Sequence, residues 1–367
     1  MIPSYIKQTF KDFYWILFFL VIIIASIGIV FIHSASMSSD FTAPLYALKQ
    51  FIWLILGICF LFGVTAVGYR SFLNVSYLLY ICSLLLLIAV LFIGTSKFGA
   101  QRWIPLGNFA FQPSEFAKLA VILALSHYLG SRKRNILQRE RFFIAFILTF
   151  IPLVLIVNQP DLGTALIFLP ILYCMLYLWG TRLKYIFMSF FLGALSMPIV
   201  WHMLKPYQKN RLLTFININA DPLRAGYTAI QSKIAVGSGG FWGKGLFEGT
   251  QNRLNFVPEH HTDFIFCIIS EEGGFLAAFL LLVLFFILIK LAIGIIQKTT
   301  DPEAKLLAIG ITAMLLFQVC INIGMTIGLC PITGLPLPLI SYGGSSMLTY
   351  FIAFGLLISI YKDRTIF

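Results

Sequence analysis

The stretch WILFFLVIIIASIGIVFI, residues 15–32, contains no charged side chain, and Phe275–Ile289 is a second stretch of the same kind. With their flanks, both approach the ~20 residues that a helix needs to cross the hydrocarbon of a bilayer. Helices also satisfy their own backbone hydrogen bonds, as lipid requires. Of the 367 residues, 59% are hydrophobic and 11% are charged, whereas about 25% of a soluble domain is charged. The sequence therefore predicts an all-α polytopic membrane protein.

Ten transmembrane helices are predicted, and an even number places both termini on one side of the membrane. Their ranges are 13–34, 46–68, 72–94, 113–130, 142–158, 162–179, 185–204, 264–294, 306–328 and 345–361. Lys and Arg are in excess in short cytoplasmic loops, and here they cluster on the side of the termini, as at Arg132–Arg134. Both termini are therefore expected in the cytoplasm, with one long extracytoplasmic loop, about 205–263, between spans seven and eight. Because no internal repeat divides the chain, residues 1–367 are interpreted as one domain.

The net charge of +12 calls for no nucleic-acid partner, because topology and contact with anionic cytoplasmic headgroups explain most of it. Basic residues on the outer side oppose the topology rule and need another reason. They include Arg102, Arg211 and Lys233. An anionic ligand at the outer face is one explanation, and plain solvation of the loops is the other.

Several charged residues lie in predicted spans, where each costs at least ~2.5 kcal/mol and usually marks function. Glu115 and Lys118 are three residues apart at the start of a span, so they share a helix face and can pair. The pair either presents Lys118 near the outer mouth of a cavity or only locks two helices together. Asp161, which follows Pro160 in NQPDLGT, can cap the start of the next helix.

In two further stretches, charged residues stand next to an aromatic residue or next to glycines. In AQRWIPLG, Arg102 offers a bidentate fork that suits phosphate, and Trp103 is expected to anchor at the membrane interface. Glu271 and Glu272 lie inside span eight beside two glycines, which favours close packing and a structural role over a watery cavity.

The long outer loop carries a short apolar repeat and then a run of glycines. Tyr227, Ile230 and Ile234 recur at spacings that suit a short helix on the membrane surface. Glycines then recur between residues 237 and 249. They indicate either a flexible linker or a loop whose backbone approaches a ligand or folds over a groove.

Prolines and glycines also alternate in GLCPITGLPLPLISYGGSSML, residues 328–348. Non-helical backbone at membrane depth survives only against protein or a water-filled cavity. We expect this segment to re-enter towards a cavity and to form part of its outer wall, with Ser341 near the start of span ten. A rigid surface connector is the alternative.

Four motifs follow one another along the chain: RWIPLGNFAFQPSEFAKLA (102–120), NQPDLGTALIF (158–168), GSGGFWGKGLFEGTQNRLNFVPEHHTDFIF (237–266) and the proline-rich segment just quoted. Together they resemble the SEDS family (shape, elongation, division and sporulation), which includes RodA, FtsW and SpoVE. The GTQ before FVPEHHTDFIF is closer to the RodA branch. The resemblance covers nearly the whole chain.

The resemblance implies a peptidoglycan glycosyltransferase of the bacterial plasma (inner) membrane. Such an enzyme polymerises lipid II into β-1,4-linked glycan strands at the outer face, here in cell elongation. It also implies a partner, a class B penicillin-binding protein that supplies the transpeptidase. The family's essential carboxylate falls on Asp263. The substrate-binding residues that we predict are Arg102, Trp103, Glu115, Lys118, Asp161, Arg211, Lys233, Gln251 and Ser341.

The implied chemistry suits these residues. An α-linked diphosphate becomes a β-1,4 link, so the transfer inverts and needs one base for the attacking 4-hydroxyl. Undecaprenyl diphosphate leaves without a proton, so no second acid is required. Asp263, at the outer start of span eight, suits the base, and cations such as Arg102, Lys118 and Arg211 suit the diphosphate. The chemistry demands no cofactor, but a divalent cation (Mg or Mn) held through Glu259 and Asp263 is left open.

Three other functions compete with this interpretation. A lipid II flippase needs polar groups down to the cytoplasmic side, and Glu115, Lys118, Glu271 and Glu272 can line such a path. The functional residues nevertheless crowd one face, and no inverted repeat typical of many transporters is present. A scaffold for a penicillin-binding protein leaves Asp263 and the outer cations unexplained. A division role like that of FtsW is the remaining alternative.

Overall fold

The computed structural model describes residues 14–36, 43–97, 100–107, 109–131, 138–217, 225–254, 256 and 261–363. The helices are α1 (Trp15–Ser36), α2 (Ala43–Val67), α3 (Tyr69–Asn74), α4 (Ser76–Ile93), α5 (Pro113–Gly130), α6 (Gln138–Asn158), α7 (Leu162–Trp179), α8 (Leu183–Met203), α9 (Pro206–Ile216), α10 (Ala225–Ser238), α11 (Thr250–Arg253), α12 (Ile265–Lys298), α13 (Pro302–Ile327) and α14 (Gly344–Asp363). The strands are β1 (Thr95–Lys97), β2 (Ala100–Leu106) and β3 (Phe109–Phe111).

The predicted helical membrane fold is confirmed, since each predicted span corresponds to one long helix. Eight of these helices are long and apolar enough to cross a membrane. The other two are α5, which carries Glu115 and Lys118, and α8, whose apolar part, Leu183–Pro198, is shorter. The number of crossings and the side of the termini stay predictions.

Helices α5, α13 and α14 form the centre of the bundle. In α13 and α14, 78% of the most apolar stretch is buried, against 28% in α4 and α6. Close packing of α14 on α2 depends on glycine: a Cβ added at Gly355 would lie 2.8 Å from the Leu61 carbonyl oxygen. The outer helices expose large apolar side chains such as Leu78 and Phe143, as expected of surfaces that face lipid.

A small antiparallel sheet, in the order β1-β2-β3, joins α4 to α5. The sequence analysis did not predict it, because three short strands with Pro105 among them give no clear alternating pattern. The sheet matters for the site because β2 carries Arg102.

Residues 328–343, which we call the inner loop, run between α13 and α14 inside the bundle rather than over its surface. Leu335, Leu337 and Ile340 are buried. Side-chain amides satisfy the loop's carbonyls: Gln318 Nε2 donates to Pro336 O at 3.0 Å, and Gln50 Nε2 donates to Ser341 O at 3.2 Å. Such partners are what buried irregular backbone requires. The re-entry expected from the sequence is therefore present.

Helix α12 is broken at Gly274, whose φ is 67° and ψ is −168°. Residues 239–249, which we call the glycine loop, pack against this break. The amides of Lys244 and Gly245 donate to the Glu271 and Glu272 carbonyls at 3.0 Å each, and the Phe275 amide donates to Gly240 O at 2.9 Å. The loop glycines therefore serve a close approach of two protein backbones rather than of a ligand.

Glu271 and Glu272 tie the glycine loop to α12, which agrees with the structural role that the sequence favoured. Glu271 Oε1 accepts from Lys244 Nζ at 2.6 Å and from Thr250 Oγ1 at 3.0 Å. The Glu272 carboxylate accepts from Ser34 Oγ of α1 at 2.7 Å.

The helix predicted in the outer loop is present as α10, and its placement on the membrane surface stays a prediction. Its buried side chains are the small Ser232 and Ala235, which face α12 and α13, and Ser232 Oγ donates to Thr326 O at 3.1 Å. Ile234, part of the predicted apolar face, is 45% exposed.

Candidate active site

The Asp263 segment is held in place through its backbone. Asn322 Nδ2 donates to the Asp263 carbonyl at 2.9 Å. Ser341 Oγ donates to the Thr262 carbonyl at 2.5 Å and accepts from the Leu337 amide at 2.7 Å. Because Asn322 belongs to α13 and Ser341 to the inner loop, two separate parts of the chain hold the backbone that carries the carboxylate.

Asp263 and Arg211 approach each other beside Gly334 of the inner loop. A Cβ added at Gly334 would lie 3.2 Å from Asp263 Oδ2 and 3.7 Å from Arg211 Nη1. Gly334 also has a φ of +73°, a conformation that favours glycine. The absence of a side chain at this position therefore lets a carboxylate and a guanidinium share one small space.

Two adjoining clefts share Arg211 as a lining residue, and both are basic. The first is lined by Arg211, Thr214, Phe215, Ala229, Lys233, Met325, Gly328, Cys330, Pro331 and Ile332. The second is lined by Arg102, Pro160, Leu162, Leu166, Gln208, Arg211, Leu212, Pro331, Ile332 and Thr333. Arg211, Pro331 and Ile332 belong to both clefts. Since the charged lining residues are cations, either cleft suits an anion.

Arg102 reaches the second cleft from β2 and is anchored at the start of α7. Its Nη1 lies 3.5 Å from Asp161 Oδ1, and its Nη2 donates to the Pro160 carbonyl. Its Nε is buried without a hydrogen-bond partner. Asp161 accepts from the Thr164 amide at 3.2 Å and from Thr164 Oγ1 at 2.8 Å, which confirms the predicted helix cap.

Lys233 lies at the first cleft beside the end of α13. A Cβ at Gly328, the C-cap of α13, would fall 2.0 Å from Lys233 Cε. A cation at this place compensates the helix dipole and is also available to an anion, since the side chain is exposed.

Comparison with known families shows the family to which this chain belongs. The family model described as "Cell cycle protein", which covers FtsW, RodA and SpoVE, matches residues 14–366. The chain belongs to this family. The SEDS resemblance of its motifs is thus confirmed over nearly the whole length.

Individual SEDS relatives agree with the family match. The peptidoglycan glycosyltransferase RodA of Treponema pallidum is 36% identical over 95% of this chain and 98% of its own length. The peptidoglycan glycosyltransferase MrdB of Escherichia coli is 40% identical over 78% of this chain and 77% of its own length. A solved structure, described as structural coordination of polymerization and crosslinking by a peptidoglycan synthase complex, matches with a TM-score of 0.82 and 33% identity, covering 96% of this chain and 98% of that one. The chain is therefore a multi-pass protein of a bacterial membrane and, like these relatives, a glycosyltransferase.

Glu115 and Lys118 do pair, but away from the clefts of this SEDS protein. Lys118 Nζ donates to Glu115 Oε1 at 2.9 Å and to Gln318 Oε1 at 2.8 Å, and Tyr350 Oη donates to the same Gln318 oxygen at 2.8 Å. Lys118 is 0% exposed. This network joins α5, α13 and α14, which favours the helix-locking alternative over a cation at the mouth of a cavity.

Three other predicted substrate ligands are not brought to the clefts. Trp103 follows Arg102 on β2, next to an irregularity in the pairing of β1 with β2, and it lines neither cleft. The backbone N–H of Gln251 donates to Glu271 Oε1 at 3.0 Å, which places Gln251 beside the glycine loop. Ser341 is buried and its hydroxyl is used to hold the Thr262 carbonyl. Their roles in binding substrate stay predictions.

Asn322 is a site residue that the sequence analysis missed. Its Nδ2 bonds both the Asp263 carbonyl and, at 2.6 Å, the Leu335 carbonyl. It is 0% exposed, and its Oδ1 has no hydrogen-bond partner. The signal was available: Gln318 and Asn322 are two amides four residues apart in an apolar span, where polar side chains usually bond neighbouring helices.

The divalent cation that the sequence left open has no evident site in the described part of the chain. Within the ranges given above, no group of three His, Cys, Asp or Glu side chains has a geometry that could hold a metal ion. Glu259 and His260, next to Asp263 in the sequence, lie outside the described residues. The divalent cation therefore stays an expectation.

Proposed function

We propose that this protein polymerises lipid II into β-1,4-linked glycan strands at the outer face of the plasma membrane, with Asp263 as the general base. The observation that carries this proposal is the approach of Asp263 and Arg211 beside Gly334, together with the place of Arg211 in the lining of both basic clefts. A fixed carboxylate next to anion sites matches the two demands of the transfer: proton removal and stabilisation of a departing diphosphate.

In the proposed step, the 4-hydroxyl oxygen of the acceptor sugar attacks the anomeric carbon of the donor. Its proton passes to a carboxylate oxygen of Asp263. The bond from the anomeric carbon to undecaprenyl diphosphate breaks, and the electron pair leaves with the diphosphate. Arg211, together with Arg102 or Lys233, stabilises the charge that grows on the leaving group.

The two clefts support polymerisation in particular. A polymerase of this kind holds two lipid-linked substrates at once, one as donor and one as acceptor. Two clefts with separate cations, Lys233 in one and Arg102 in the other, suit two anionic headgroups. Arg211 borders both clefts and lies close to Asp263, so either substrate can be held next to the base.

For the biological role, we propose elongation together with a class B penicillin-binding protein. The name RodA of the Treponema relative supports elongation, and the description of the similar solved structure supports a crosslinking partner. Within the described residues, the deep charged pair Glu115–Lys118 lines neither cleft: Lys118 donates to Gln318, which also accepts from Tyr350. That arrangement gives a lipid II flippase no support.

The test is a polymerisation assay. The purified protein is incubated with lipid II in detergent, alone and with a class B penicillin-binding protein, and glycan polymer is separated on a gel. Polymer that depends on Asp263 supports the proposal. Absence of polymer under both conditions, with lipid II moving across vesicle membranes instead, contradicts it in favour of a flippase. A parallel reaction with EDTA tests the divalent cation.

Arg211→Gln is expected to lower kcat/KM for lipid II by about 10- to 100-fold. A hydrogen bond to a charged group contributes roughly 1.5–3 kcal/mol, and each 1.36 kcal/mol is about tenfold in rate. Lys209→Gln is the matched control, because it removes one positive charge from the same helix and Lys209 lines neither cleft. Equal losses in the two variants would show a general field effect and contradict a specific role for Arg211.

Gly334→Ala is expected to reduce polymerisation much more than it reduces stability. The new Cβ would lie 3.2 Å from Asp263 Oδ2, so the carboxylate would have to shift by a few tenths of an ångström, and misplacement of a reacting group lowers the rate of the chemical step. Gly180→Ala provides the control, since Gly180 also has a positive φ, +97°, but open space around it. Both variants carry the same kind of backbone strain, roughly 1–2 kcal/mol. Melting temperature and polymerisation rate are measured for both, and similar rates would rule out the crowding argument.

A further inference from the structure

The glycine loop exposes an apolar tip beside α12. Phe241, Trp242 and Leu246 are 55%, 76% and 51% exposed. The loop's cation is turned the other way: Lys244 Nζ donates to Glu271 Oε1 at 2.6 Å, and also to Ser238 and Thr250. The loop therefore presents apolar and aromatic surface outwards and keeps its ammonium group bonded to the protein.

This tip continues the lipid-facing surface of a membrane helix. The ring of Phe241 stacks on Phe275 with centroids 5.9 Å apart, and Phe275 stacks on Phe279 at the same distance. Phe275 and Phe279 are 58% and 50% exposed on α12, which is apolar enough to span a membrane. The aromatic row thus runs without interruption from the helix onto the loop.

The break at Gly274 sets the depth of the loop. The second part of α12, Phe275–Lys298, is about 36 Å long at 1.5 Å per residue, which is enough to cross a hydrocarbon core of about 30 Å. A span of this length begins near the membrane boundary, next to Gly274. The glycine loop bonds to α12 at that level, so it lies at the boundary as well.

The first part of α12, Ile265–Gly273, is tied at both ends to positions near the ends of membrane helices. At one end, the Asp263 carbonyl bonds Asn322, which is about 8 Å from the end of α13. At the other end, Glu272 bonds Ser34, about 3 Å from the end of α1. Both contacts are near helix ends at the cleft end of the bundle. The location also accounts for two adjacent carboxylates in α12, which the sequence had placed deep in a span.

We propose that Phe241, Trp242 and Leu246 insert into the bilayer at the boundary between headgroups and acyl chains, in the leaflet at the cleft end of the bundle. Trp and other amphipathic aromatic side chains prefer this depth. Through the backbone bonds to Glu271 and Glu272, the inserted loop anchors the half-helix that begins two residues after Asp263. The lipid surface therefore sets the height of the proposed base relative to lipid-borne sugars.

The lipid contact is tested by quenching the fluorescence of Trp242 in the full-length protein. Wild type and Trp242→Phe are reconstituted into phosphatidylcholine–phosphatidylglycerol vesicles whose acyl chains carry bromine either near the carbonyl end or near the methyl end. The difference between the two proteins isolates the signal of Trp242. We expect this signal to lose most of its intensity with bromine near the carbonyl end, less with bromine near the methyl end, and little with aqueous acrylamide.

A difference signal that acrylamide quenches while brominated lipid leaves it unchanged would overturn the proposal and place the tip in water. A signal that neither agent quenches would also overturn it, because the tip would then be covered by protein. Trp242→Phe keeps an aromatic ring at an exposed position, so folding is not at risk. The measurement needs no lipid II, so its outcome is independent of the proposed polymerase activity.

Discussion

Asp263→Asn is expected to lower the rate of glycan polymerisation by at least about 10²-fold, the lower range for loss of a general base. Asparagine keeps the size of the side chain and its capacity to hydrogen bond, but it cannot take up the proton of the attacking hydroxyl. The backbone bonds from Asn322 and Ser341 that hold this segment do not involve the Asp263 side chain. Folding should therefore be preserved, and the loss should fall on the chemical step.

The matched control for this experiment is Asp301→Asn. Asp301 caps α13, where its Oδ1 accepts from the Glu303 amide at 3.3 Å, and asparagine is about as good a cap as aspartate. The same atoms are changed at a position that no cleft includes. Polymerisation rates are compared at equal amounts of folded protein, judged by thermal unfolding. Near-normal polymerisation by well-folded Asp263→Asn would sink the assignment of the base.

Local sequence spacing was enough for some parts of the site. Asp161 before Leu162 is a cap because a carboxylate at that position reaches the first free amides of a helix. Glu115 and Lys118 pair because residues three positions apart lie on the same face of a helix. Both interactions lie within a few residues, so no knowledge of the tertiary fold was needed.

Other parts depend on residues that are far apart in the chain. Gln318 completes the Lys118 network from a distance of 200 positions, and that contact favours a helix-locking role for Lys118 over a cation at a cavity mouth. Arg211 and Asp263 belong to different segments of the chain, and they come together beside Gly334 of the inner loop. No pattern within one segment reports such a meeting. The break in α12 was missed for a related reason. Gly273 and Gly274 were interpreted as residues that allow close packing within a continuous helix, whereas the helix is broken at Gly274 and the backbone of the glycine loop packs against the break.

The Glu115–Lys118 network supports the second large effect, which concerns stability. Lys118→Met is expected to lower the free energy of unfolding by about 3–5 kcal/mol, the usual loss when one partner of a buried ion pair is removed. Glu115 is 1% exposed, so its charge would be left buried without the ammonium. Thermal unfolding in detergent measures the loss. Lys305→Met on the exposed side of α13 is the control, and it should stay close to wild type.

The double variant Glu115→Gln with Lys118→Met separates a structural pair from a functional cation. Removing both charges eliminates the unpaired carboxylate, and replacing a buried ion pair by neutral side chains of similar volume is often close to neutral in stability. We therefore expect the double variant to regain most of the stability that Lys118→Met loses. If polymerisation returns with stability, the pair serves only to lock α5 to α13 and α14. If stability returns while polymerisation stays low, Lys118 acts on the substrate and the helix-locking interpretation is wrong. A double variant as unstable as the single one would show that the contacts of Lys118 with Gln318, rather than its charge pairing with Glu115, hold these helices together.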